Sequence, residues 1–312
     1  MAKTAASNRR PAPRKTPTRG GRPAGLFTWI AVGLVVIVVV ALVIIKVATG
    51  GTTTPPGKTT FQPTSAAVLT DLTTIPASVF NSVGINSPIT SITPPQPISG
   101  QSELYGTNAS GQKVPEILYM GAEYCPYCAA QRWATIVALS RFGTWSGLGN
   151  MSSLSTDVYP NTPTFTFLKA KYTSKYLVFK SVELYTNYLS KTGAYVKLQT
   201  PTPTEEAEIS KYDTTKYVKG FTSSTEDGSI PFITFANKFL VAGASYNPQT
   251  LAGTSRDAIA GALDNETSPI TQAIVSSANY QTAAICTLTN QQPGNVCTTS
   301  GVMKAAKAMG IK

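Results

Sequence analysis

Two cysteines two residues apart, in Cys125-Pro126-Tyr127-Cys128, are the part of the chain best equipped for chemistry. They open a run, AAQRWATIVALSRF, that reads as a helix stopping near Gly143. Cys125 then falls in the N-cap region, and Pro126 at the first helical position, where a missing N–H costs nothing. The free N–H groups and the helix dipole favour a thiolate at that end and lower the pKa of the first cysteine. Cys128, one turn on, shares its face and lies within bridging reach. Such a pair exchanges disulfides: Cys125 attacks, and Cys128 resolves the mixed disulfide. The same spacing also suits a structural disulfide, although so small a loop removes little entropy from the unfolded chain.

Composition narrows the alternatives. The chain has no histidine, which removes Ser-His-Asp and Cys-His machinery and any His-ligated zinc or haem. A zinc site would need all four cysteines, and Cys286 and Cys297 are too widely spaced for a zinc knuckle. No metal or organic cofactor is expected. The cysteines are expected to pair locally, Cys125 with Cys128 and Cys286 with Cys297. The second bridge reads as a structural disulfide, with a second redox couple as its alternative.

The elements that position the cysteines can be read outward from them. Val114 and Pro115–Ala122 form a short buried strand, and Glu123-Tyr124 turns the chain into the Cys helix. Thr164–Lys169 and Tyr176–Leu184 read as strands, rich in β-branched and aromatic residues. Ile230–Phe235 is a further strand, turned at 236–238 into Phe239–Ala242. Helices are predicted over 68–83 with a break near Pro76, and over 203–217, 248–263, 270–278 and 302–308. Tyr172, Tyr176, Phe179, Tyr185, Tyr188 and Tyr195 read as core and strand-face residues rather than a peptide-binding surface.

The formal net charge is +11, with 26 Lys and Arg against 15 acids. Lys3, Arg9, Arg10, Arg14, Lys15, Arg19 and Arg22 all precede an uncharged run, Leu26–Ile45, that Lys46 closes. The first acid is Asp71. The basicity thus belongs to a tail, and no nucleic-acid partner is expected. The tail (1–25) is predicted to be cytoplasmic, 26–47 a transmembrane signal anchor, 48–66 a Thr/Pro/Gly-rich linker, and 67–312 an extracytoplasmic domain. The competing reading of the apolar run is a cleaved signal peptide.

Met120-Gly-Ala-Glu-Tyr-Cys-Pro-Tyr-Cys128, its Trp-containing helix and Ile230-Pro-Phe-Ile-Thr-Phe235 resemble thioredoxin-like proteins, and glutaredoxins share the tetrapeptide. The wider pattern resembles a family of uncharacterised prokaryotic membrane-anchored proteins, a domain of unknown function. It takes in Ile75–Phe80, Gly121–Cys128, Gln131-Arg132-Trp133, Ala138–Gly143 and the late cysteine pair. The resemblance implies an α/β fold: a thioredoxin-like domain with an inserted subdomain at about 143–229 and a disulfide-bonded C-terminal tail, after one transmembrane helix. It implies a cis bond before Pro231, with that proline beside the cysteines holding the substrate strand. Thioredoxins usually place a buried acid where this chain has Tyr119; the nearest carboxylate is Glu123. Tyr119 and Glu123 are therefore candidates for tuning Cys125, with a solvated turn residue as the plainer account of Glu123.

The expected function is that of a membrane-anchored thiol–disulfide oxidoreductase or isomerase acting on extracytoplasmic proteins. Its partners would be the lipid bilayer, protein thiols or disulfides, and a membrane redox partner. The alternative is a non-catalytic, membrane-tethered binding or scaffold module with CPYC as a structural disulfide.

Overall fold

The computed structural model describes residues 61–311. The predicted tail and transmembrane anchor lie outside them, as does most of the predicted linker. The chain joins the fold inside that linker: β1 (Gln62–Pro63) pairs with a later strand, and Ser65 caps the next helix. Pro76 divides the predicted helix into α1 (Ala66–Thr73) and α2 (Ala77–Val83), because proline is tolerated at a helix start but not inside one. Two short strands follow, β2 (Gln96–Pro97) and β3 (Tyr105–Thr107).

The central strand is β4 (Lys113–Gly121), buried from Val114 onward. It delivers the chain through a tight turn to α3 (Pro126–Ser140). All but the two ends of this helix are walled in: Tyr127 and Ser140 are its residues that are not buried. Past Gly143 the chain forms β5 (Thr144–Ser146), β6 (Gly149–Ser152), β7 (Pro163–Thr166), β8 (Lys171–Thr173) and β9 (Val178–Glu183). The hairpin β10 (Tyr185–Leu189) and β11 (Tyr195–Lys197) precedes α4 (Pro203–Tyr212), which starts on a Thr202–Glu205 capping box. Then come β12 (Phe232–Phe235) and β13 (Phe239–Ala242), joined by the three residues 236–238; Ala236 and Asn237 take positive φ, and the Lys238 N–H closes the turn on the Phe235 carbonyl at 3.0 Å. Short α5 (Arg256–Gly261), long α6 (Pro269–Leu288), α7 (Gly294–Cys297) and α8 (Ser300–Ala308) complete the domain.

Six strands form the main sheet, in the order β2-β13-β12-β4-β3, with β9 parallel to β4 along Glu116–Gly121. Strand β12 runs antiparallel to both of its neighbours, β4 and β13. The remaining strands form a three-stranded sheet, β1-β6-β7, and two separate pairs, β10-β11 and β5-β8. Helix α3 packs on β7, α1 and α6, and the large apolar core runs among these elements.

The thioredoxin-like class expected from the sequence is corrected to a mixed α/β fold whose strands are spread over four sheets. Residues 143–229 are not a separate inserted body, since they supply β9 to the main sheet and β7 to the wall of α3. Nor is the C-terminal stretch a tail: α6 is buried along most of its length and carries Cys286 into the core. The single-pass membrane localisation expected from the sequence is not supported either, since its segment, 26–47, lies outside the described residues. Among the described residues no helix is long and apolar enough to cross a membrane. Even α6, 20 residues long, carries Ser276, Ser277, Asn279, Gln281 and Thr282.

Candidate active site

Cys125 ends the turn from β4 with extended backbone (φ −77°, ψ 121°) and caps α3. Its Sγ accepts the backbone N–H of Cys128 at 3.1 Å, taking the place a serine or aspartate oxygen holds at other helix starts. The thiol faces the carbonyl of Ile230 at 3.9 Å. Both cysteines are free thiols, whereas Cys286 and Cys297 are bonded to each other as the sequence suggested.

The two thiols occupy different electrostatic positions. Burial pushes the Cys125 thiol up, but hydrogen bonds from the Cys128 thiol and backbone, the Arg132 charge and the Tyr127 N–H outweigh it, so its pKa is lowered. Cys128 is fully buried; that burial, with its hydrogen bond to Cys125, raises its pKa well above the ordinary value. The pattern follows from helix geometry. A sulfur at the N-cap meets free N–H groups, while one a turn deeper meets core.

Cys125 is only 5% exposed, deeper than an open attacking thiol. Tyr124, Tyr185 and Ile230 pack around the pair. Tyr124 stacks on Tyr195 with ring centroids 4.0 Å apart. On the other side, exposed Tyr127 meets the edge of Tyr159 at 5.7 Å. Tyr127 and Tyr159 also line a cleft of about 700 Å³ with Ile89, Thr90, Ser245 and Tyr246. Tyr172 and Phe179, by contrast, pack with Trp145, as strand-face residues should.

The Ile230–Pro231 bond is cis, and Pro231 is buried, its carbonyl accepting the N–H of Gly243. The carbonyl of the preceding residue, Ile230, reaches the sulfur. Tyr119 is fully buried on β4; its ring packs edge-on against Phe167, and its hydroxyl has no hydrogen-bond partner among the described residues. Glu123 is not a solvated turn residue: it is 5% exposed. Burial raises its pKa, and a hydrogen bond with Thr166 works against that rise.

Two further residues belong to the site and were not singled out from the sequence. Arg132 and Glu183 are both fully buried and form a two-point ion pair, Nε to Oε1 at 3.0 Å and Nη2 to Oε2 at 2.5 Å. Arg132 Nη2 also donates to the carbonyl of Ala122 at 2.9 Å, in the turn that carries Cys125. The spacing Cys125, Cys128, Arg132 places all three on one face of α3, which is the signal the sequence offered. The partner acid, 51 positions away, gives no such signal. Among the described residues no cluster of His, Cys, Asp or Glu could hold a metal ion.

A family model described as Domain of unknown function (DUF929) matches residues 103–287. That span holds Cys125, Cys128, Arg132, Glu183 and Pro231 but not Cys297. No curated protein and no solved structure matches the chain.

Proposed function

Because the chain belongs to the DUF929 family, whose description assigns no activity, we propose its function from the site itself: thiol–disulfide exchange on protein substrates. One observation carries this reading, the division between Cys125, whose thiol is eased toward ionisation at the N-cap, and Cys128, held protonated beneath it. The Cys125 thiolate attacks one sulfur of a substrate disulfide, whose S–S bond breaks and releases a substrate thiolate. Cys128 then loses its proton and attacks Cys125, closing the 125–128 disulfide and releasing the second substrate thiol. Two electrons pass to the substrate, and two protons follow them; the reverse sequence oxidises a dithiol. Pro231 fixes the Ile230 carbonyl beside the attacking sulfur, and the cleft beside Tyr127 receives the substrate chain.

The variants Cys128→Ala and Cys125→Ala separate the roles. After an acid quench and thiol blocking, Cys128→Ala is expected to carry reducible adducts on non-reducing gels, because the resolving step is gone. Cys125→Ala is expected to carry none. Adducts in neither variant, with Cys125 alkylating no faster than an ordinary thiol, would sink the exchange reading.

The low exposure of Cys125 favours a second reading, a binding or scaffold module in which the pair is a structural disulfide. The reduction potential of the pair tells them apart: below about −300 mV the bond resists the glutathione pool and serves as a staple.

A further inference from the structure

We propose that Arg132, clamped by Glu183, is a positioning residue that supplies the fixed positive charge of the cysteine pair. The consequence for catalysis rests on the exchange reading above. The placement of the charge rests on geometry alone.

A lone arginine inside a helix walled by apolar residues demands a reason. Taking a guanidinium out of water costs several kcal/mol unless it is paired and fully hydrogen-bonded. Arg132 is paired, but incompletely. Its Nε and Nη2 are taken by Glu183 and by Ala122, while Nη1 is buried with no partner among the described residues. Glu183 is held in turn: its Oε1 accepts the backbone N–H of Phe167 at 3.1 Å, and its own N–H donates to Gln199 at 2.7 Å. The guanidinium lies 5.7 Å from the centre of the Tyr119 ring, which covers it from β4. Four pieces of chain thus meet at Arg132: its own helix, β4, the Ala122 turn and the end of β9.

A pair that served only to join β9 to α3 would need no contact with the turn. This one grips the carbonyl of Ala122, which also accepts the N–H of Cys125 at 3.3 Å. Arg132 stands one turn below Cys128 and two below Cys125 on the same face, so its charge bears on both sulfurs. The other ionisable groups around Cys125 are Cys128 on its own helix, Tyr119 from β4, Glu123 and Tyr124 from the turn, Tyr127 on the first turn of α3, Tyr185 and Tyr195 from the hairpin, and Glu183 behind Arg132. Asp157, from the loop between β6 and β7, acts on Tyr124, Tyr127 and Tyr195. Arg132 is the cation in this set. A fixed cation inside low dielectric stabilises an anion far better than the same charge in water.

The test uses two substitutions of opposite sign in the full chain. The readout is the pH midpoint of Cys125 alkylation, followed on its peptide by mass spectrometry. Arg132→Met removes the cation, and the midpoint is expected to rise by about one unit or more. Glu183→Gln keeps the shape, removes the neutralising carboxylate, and is expected to lower the midpoint. A purely structural pair would move neither midpoint, or move both the same way, and either outcome overturns the proposal. The double variant Arg132→Met, Glu183→Met leaves no unpaired buried charge; it is expected to fold and to show a raised midpoint. If the Arg132 variants do not fold, Glu183→Gln decides alone: a fall in its midpoint supports the proposal, and an unchanged or raised one rejects it. Opposite shifts together with no trapped adducts in Cys128→Ala would leave the charge assignment standing and remove only the exchange reading.

Discussion

Asp213 shows what burial does to a single residue that its neighbours in sequence do not announce. It ends α4 at 1% exposure, and neither carboxylate oxygen has a hydrogen-bond partner among the described residues. Burial, then the nearby Asp227 carboxylate, pushes its pKa up to about 8. The folded chain therefore keeps a proton that the unfolded chain releases near its usual value of about 4. Stability falls as pH rises through that window, and the loss is complete above about pH 8. Asp213→Asn keeps the shape without the charge. It is expected to stabilise the chain by roughly 1–3 kcal/mol at pH 8 and far less near pH 4, read from chemical denaturation at both. An equal gain at both values would refute the assignment. Glu123 carries the same lesson: its place in a turn suggested solvent, and only the packing of Thr166 and the hairpin around it shows otherwise. The cysteines were legible because their chemistry depends on local spacing. Arg132 was half legible and Glu183 not at all, because an ion pair across 51 positions leaves no pattern in either segment.

At the scale of elements, most strands and helices were legible from local signals, and the misreadings have local causes. The run from Pro248 looked like one helix; it is a short 3₁₀ turn and α5, separated at Gly253, whose φ of 72° leaves the helical region. Helix α6 continues ten residues past its predicted end at Ala278, because Asn279 and Gln281 interrupt the apolar pattern. Those interruptions are its contacts. Asn279 donates to the carbonyls of Phe80 and Gly84 at 2.9 and 2.7 Å, capping the end of α2. Its oxygen accepts from Arg141, just past α3, at 3.1 Å. Gln281 meets Thr135 of α3 in the same way. Polar residues inside a helix interface were thus mistaken for a helix end. Asn279→Leu should strand the buried Gly84 carbonyl and take one bond each from the Phe80 carbonyl, which keeps the Gly84 N–H, and from Arg141, which keeps Thr282. A loss of about 2–4 kcal/mol is expected, seen as a lower midpoint of thermal unfolding. A loss below about 0.5 kcal/mol would mean that the three helices do not depend on this residue.

Across the whole molecule the two cysteine pairs differ in their bonding and in their surroundings. Cys286 and Cys297 sit in the large core that joins α6 to α8, while Cys125 and Cys128 form a separate small cluster with Ala122. The first pair closes a short loop, with the partners 11 positions apart, and is bonded; the second is not. Cross-linking a loop of that size stabilises a fold by about 2–3 kcal/mol, mostly through the unfolded chain. That effect acts on the equilibrium of the whole chain and leaves the surroundings of Cys125 untouched. The double variant Cys286→Ala, Cys297→Ala is therefore expected to unfold at lower denaturant by that amount. Its rate and pH midpoint of Cys125 alkylation should match those of the unaltered chain under native conditions. If the late pair instead passed electrons to Cys125–Cys128, the variant would keep its stability yet lose the ability to be re-reduced after one exchange. Following both properties on the same preparation separates the two outcomes, because a stability loss shows in denaturation while a broken relay shows only in repeated turnover.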